Sequence, residues 1–134
     1  MRILLIPFFF GAWNSQAQDH TMPTFPRGPV YGRHCGIVGE DPLPRNRLET
    51  LVLFKDSVGV LDLLNDTSLV MRAYGAEGVI RLQRQGVPFG SNVLTRVAEL
   101  RSSKTEIRTC SGCSCGFDPL YRALQDNVSY NTIR

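Results

Sequence analysis

Along residues 48–84 short apolar runs alternate with polar breaks at intervals of roughly ten positions, a rhythm that predicts strands joined by turns. Residues 50–55, 58–63, 68–74 and 78–84 are each short and rich in branched or aromatic side chains. Asp56-Ser57, Asn65-Asp66-Thr67 and Gly75-Ala76-Glu77-Gly78 supply turn chemistry between them. In the last run Ile80 and Leu82 alternate with Arg81 and Gln83, the period of a strand with one buried face. The expected fold is mainly β: a small single-domain antiparallel sandwich or meander with a short C-terminal helix, stapled by disulfides. An α+β arrangement is the alternative.

Three segments carry helical signals against that background. Asn46-Arg47-Leu48-Glu49 resembles a capping box, and Leu48, Leu51, Val52 and Lys55 have helical spacing. Ser91 or Asn92 can cap a helix over 93–100, with Val93, Val97 and Leu100 inward. Asp118-Pro119 before Leu120, Tyr121, Ala123 and Leu124 places a capping aspartate ahead of a proline at the first helical position, and predicts a short helix ending at 125–127.

The N-terminus sets the compartment. Met1 and Arg2 precede residues 3–12, which carry no charge, and Ser15 and Ala17 place small groups before Gln18. That order predicts a cleaved signal peptide over 1–17 and a secreted product, since the apolar core is too short to span a bilayer. No later run is long and apolar enough for a membrane span. Residues 18–47, with Pro23, Pro26, Pro29, Pro42 and Pro44, predict an extended arm, because proline removes a backbone donor and fixes φ. Residues 48–134 then form the β-rich domain, with a cysteine cluster at 110–115.

In an oxidising compartment Cys35, Cys110, Cys113 and Cys115 are expected to form disulfides. If all four pair within the chain, Cys35 takes one of the trio and the other two pair together. The long bridge constrains the unfolded chain, by about 4 kcal/mol in the chain-entropy model, whereas the local one constrains little. The trio therefore admits a stiffened local turn or a bond to a second chain, which predicts a covalent homodimer. Zinc on four thiolates is the third reading. Secreted thiols oxidise, and structural zinc sites show two separated pairs, so no metal or other cofactor is expected.

Charge and motifs add little. The formal net charge is +3, a balance that singles out no partner class and gives no reason to expect nucleic acid. A basic bias nevertheless gathers Arg72, Arg81, Arg84, Arg96, Arg101, Lys104 and Arg108, a candidate face for sulfated glycans. Asn65-Asp66-Thr67 and Asn127-Val128-Ser129 are glycosylation sequons, expected at solvent-facing points. No nucleophile elbow, metalloprotease helix or phosphate-binding loop occurs, and His34 beside Cys35 points to the opposite face of an extended chain. The expected function is a secreted, non-enzymatic binding or structural module that contacts an extracellular protein or sulfated glycan. The alternative is a signalling ligand acting on a receptor as a disulfide-linked dimer, with Phe89 in the Val87-Pro88-Phe89 loop as a contact.

Overall fold

The computed structural model describes residues 28–36 and 38–130. The expected signal peptide and the first part of the arm lie outside the described residues. Among the described residues the elements are β1 (Tyr31–Cys35), α1 (Leu43–Leu53), α2 (Ser57–Leu64), α3 (Leu69–Arg84), α4 (Ser91–Ser102), β2 (Glu106–Gly112), β3 (Ser114–Pro119) and α5 (Leu120–Tyr130). The mainly β expectation is thereby overturned: five helices accompany one small three-stranded sheet.

The correction has a local cause in each segment. Runs 50–55 and 58–63 belong to α1 and α2, separated by Asp56, whose carboxylate accepts from the Gly59 N–H at 2.9 Å and caps α2. A break between two short apolar runs reads alike whether it caps a helix or turns a strand. Runs 68–74 and 78–84 are one helix, α3, and the supposed turn Gly75-Ala76-Glu77-Gly78 lies buried in its middle. Glycine there answers to close approach. A Cβ on Gly75 would lie 2.3 Å from the backbone nitrogen of Leu64, and one on Gly78 would lie 2.8 Å from a Leu48 methyl. These two glycines let α2 and α1 pack directly onto α3.

The strands come from segments with no strand signal in the sequence. The order is β1-β2-β3, with β1 parallel to β2 and β2 antiparallel to β3. A parallel neighbour demands a crossover, and α1 to α4 supply it. The two-residue connection Gly112-Cys113 closes the β2–β3 hairpin, with Gly112 at φ +56 in the region where such turns favour glycine. Part of the expected arm is β1 itself, with Tyr31 fully buried and in edge contact with the Tyr74 ring at 4.7 Å between centroids.

Helices α1, α3 and α5 cover one face of the sheet, burying Leu48, Val60, Leu63, Leu82, Ile107, Leu120 and Leu124 in one core. All three helical signals appear as helices: α1 with Leu48 and Val52 buried, followed by the two later ones, α4 with Val97 and Leu100 buried and α5 beginning at Leu120 after Asp118-Pro119. The last runs on to Tyr130, beyond the expected end, so Asn127 lies within it.

Candidate functional site

Strand pleating sends alternate side chains of β2 to opposite faces. Ile107 joins the helical core, so Cys110 faces away from it, directly opposite Cys115 on β3. The Cys115 thiol donates to Cys110 Sγ at 3.0 Å, the Cys110 thiol donates to the Gly112 carbonyl at 3.8 Å, and Cys35, which arrives on β1, donates to the Arg33 carbonyl at 3.8 Å and stands close enough to Cys110 for each thiol to act on the other. The register shift between Arg33 and Cys35, with His34 at φ +48, sets Cys35 opposite Gly112. One sulfur from each strand thus forms a row across the sheet, and Cys113 stands exposed at the hairpin tip.

The row is electrically quiet. Burial pushes the Cys35 and Cys110 thiols up from their ordinary values, and the hydrogen bond to Cys110 pushes Cys115 up. Catalytic cysteines are moved in the opposite direction. Gly32, opposite Cys110, has no alternative here: its Cβ would lie 1.8 Å from the Cys110 carbonyl oxygen. Among the described residues no group of three His, Cys, Asp or Glu side chains is arranged to hold a metal ion.

Beneath β1 lies a charged cluster. Arg45 of α1 and Glu77 of α3 are both fully buried and meet in a two-pronged ion pair, with Arg45 Nη2 at 2.9 Å from Glu77 Oε2. Tyr31 donates to the same carboxylate at 2.7 Å, and Arg45 Nε donates to the Gly32 carbonyl at 3.0 Å. Arg45 also lies over the Tyr74 ring, 4.8 Å from its centroid. Arg33 bonds Glu77 and Glu49, and Arg81 grips Glu49 at 2.7 and 2.9 Å. Burial alone would raise Glu77, but Arg45 holds it below its ordinary value. Burial alone would lower Arg45, but Glu77 more than reverses that. Burial pushes Tyr31 well up and Tyr74 to about 12. The cluster ties β1, α1 and α3 together and so supports the strand that carries Cys35.

The residues of the expected basic face come from several elements. Arg72, Arg81 and Arg84 are on α3, Arg96 and Arg101 on α4, Lys104 in the following loop, and Arg108 on β2. Arg81 is held by Glu49, Arg96 donates to the Asn65 side chain at 2.6 Å, and Arg84 donates to the Val128 carbonyl at 3.4 Å. Arg84 and Arg101 share a concavity with Tyr121, Gln125 and Ser129. Both sit in last helical turns, where a cation complements the carbonyl end of the helix.

The two sequons differ in setting. Asn65 is exposed at the end of α2. Asn127 is half-buried within α5, its amide donating to Ala123 at 3.0 Å and accepting from Arg45 at 3.2 Å. That differs from the solvent-facing point expected beyond a short helix. Phe89 packs partly buried against the core rather than projecting from its loop. His34 lies 3.5 Å from Asp41, whose carboxylate also accepts the His34 N–H at 2.7 Å.

Sequence reasoning missed the Arg45–Glu77 cluster and a corner of exposed apolar side chains, Leu53, Phe54 and Val58. Neither has a signal along the chain: Arg45 and Glu77 read as ordinary solvated residues, and Leu53, Phe54 and Val58 as members of buried apolar runs. Among the described residues no helix is long and apolar enough to cross a membrane. No protein-family model matches the chain, and neither the curated proteins nor the solved structures include a match.

Proposed function

We propose that the chain is a secreted, non-enzymatic binding module that engages an extracellular protein through the corner between α1 and α2. The observation that carries this reading is the exposure of Leu53, Phe54 and Val58, at 77 %, 75 % and 68 %. Single exposed apolar residues are ordinary, but here three large ones fall between positions 53 and 58, and their covering by a partner removes apolar surface from water. Lys55 among them holds φ +53, a conformation costing about 1 kcal/mol for a residue with a Cβ. Asp56 then caps α2, so the corner is held in place.

The thiol row supports the compartment. Neighbouring sulfurs bond in an oxidising environment, and a Cys35–Cys110 bridge closes a loop worth about 4 kcal/mol in the chain-entropy model. Raised thiols favour such a structural bond over thiolate catalysis. A protein partner is preferred to a sulfated glycan because Arg81, Arg84 and Arg96 already serve partners within the fold.

The test places a photoreactive phenylalanine analogue at position 54 in secreting cells. A discrete crosslinked product that Leu53→Asp and Val58→Asp abolish, and that the analogue at exposed position 125 does not give, supports the reading. Absence of any position-specific product overturns it, and retention of the protein on immobilised heparin above physiological salt would replace it with the glycan. A second reading, the covalent homodimer, is favoured by exposed Cys113 at the hairpin tip. A reducible species of doubled mass, lost in Cys113→Ser, tests that reading.

A further inference from the structure

We propose that Cys110 is a shared sulfur at an intramolecular thiol–disulfide exchange site, bonding either Cys35 or Cys115, and that its choice decides which thiols the protein presents. This rests on the reading that the chain oxidises outside the cell. The geometry is the row itself: Cys110 contacts Cys115 Sγ at 3.0 Å on one side, and on the other Cys35 stands on the adjacent strand β1, opposite Gly112 and close enough to act on the Cys110 thiol. A sulfur carries one disulfide, so the two bonds exclude each other.

Exchange balances without an added oxidant. The Cys115 thiolate attacks Cys110 Sγ of a Cys35–Cys110 bridge. The Cys110–Cys115 bond forms as the Cys35–Cys110 bond breaks, and Cys35 leaves as a thiolate that takes up the proton Cys115 released. Only the first bridge needs a two-electron oxidant, for which oxidised glutathione serves.

The two products differ at the surface. With Cys35–Cys110 formed, β1 is tied to the hairpin, and Cys113 and Cys115 are both exposed thiols. With Cys110–Cys115 formed, the hairpin is closed on itself. The free thiol is then Cys35, which lines a cleft with Glu40, Asp41, Pro42 and Asn46. Cys113 at the tip contacts neither alternative and is the outside control.

The experiment oxidises the purified protein in a glutathione mixture at pH 8, quenches it with acid and separates the disulfide isomers chromatographically. Blocked, unreduced peptides are then mapped by mass spectrometry. Both linkages are expected in the wild-type protein. Either isolated isomer, returned to pH 8 without oxidant, should regenerate the other within hours. Cys115→Ser should trap Cys35–Cys110, Cys35→Ser should trap Cys110–Cys115, and Cys113→Ser should leave exchange intact. A single linkage in the wild type, or an isolated isomer that persists unchanged, overturns the exchange while leaving the oxidised module standing. Four thiols that stay reduced in the same mixture overturn both. The wild-type exchange measurement depends on no variant folding.

Discussion

Replacing Glu77 by glutamine keeps the side chain's size and its acceptor for Tyr31 but removes the charge that Arg45 was buried to meet. Breaking a fully buried ion pair from one side costs about 3–5 kcal/mol, because the remaining ion is stranded away from water. Arg33 and Arg81 also reach the Glu77 carboxylate, so neutralising it leaves three guanidinium groups around an amide, with Glu49 beside them. Glu77→Gln should therefore fall near the upper end, about 4 kcal/mol. Arg45→Met is expected to be milder, about 3 kcal/mol, since Glu77 keeps Tyr31, Arg33 and Arg81. The double variant should be little worse than Glu77→Gln alone, a coupling of about 3 kcal/mol. Urea unfolding followed by circular dichroism measures this, comparing midpoints at constant slope and with the disulfide state held the same. Against a total of about 5–15 kcal/mol for a domain, these losses are large. A cost below about 1 kcal/mol for Glu77→Gln, or strict additivity, would refute the assignment of the pair as a buried lock.

Four further expectations follow from the same structure. Gly75→Ala, which at an open helical site would gain up to about 1 kcal/mol, should instead lose about 3 kcal/mol because its Cβ meets the Leu64 backbone; a rise in melting temperature would contradict the packing. Glu77 and Glu49 are held below the ordinary 4.5 of a glutamate, so the unfolded chain takes up their protons first. Their stabilisation is complete above that value and lost as pH falls through the lower folded values, and urea midpoints that stay flat from pH 5 to pH 3 would rule this out. At the alkaline end Tyr31 and Tyr74 are raised above 10.0, so stability should decline as pH rises beyond that value, and tyrosinate absorbance should show two late-titrating rings. If the protein is glycosylated, Asn65→Gln should remove the glycan and Asn127→Gln should not, because Asn127's amide is engaged by Arg45 and Ala123; a mobility shift in the second variant alone would reverse the assignment.

Some of this structure was legible from local chemistry. The 93–100 pattern announces α4 because Val97 and Leu100 lie on one face, and α5 begins where expected, although Pro119 ends β3 opposite Glu106 and Asp118 accepts from the Thr109 hydroxyl at 2.6 Å. The strand expectation fails at α2 and α3, because short apolar runs separated by glycine and polar residues read alike in a strand–turn rhythm and in packed helices. Gly75 and Gly78 look like a turn until another helix is laid against them.

What the sequence determined by itself is the inventory: four cysteines of which one stands far from three, a basic bias, and helical spacing strong enough to mark α1, α4 and α5. Which thiol Cys35 meets was decided by the parallel register of β1 on β2, and which charges are buried was decided by α1 crossing α3. Neither can be read along the chain, because Arg45 and Glu77 look like ordinary solvated residues until folding removes the water around both. Capping and helical periodicity act over a few residues, whereas strand register and the pairing of buried ions are settled only when distant segments compete for the same space.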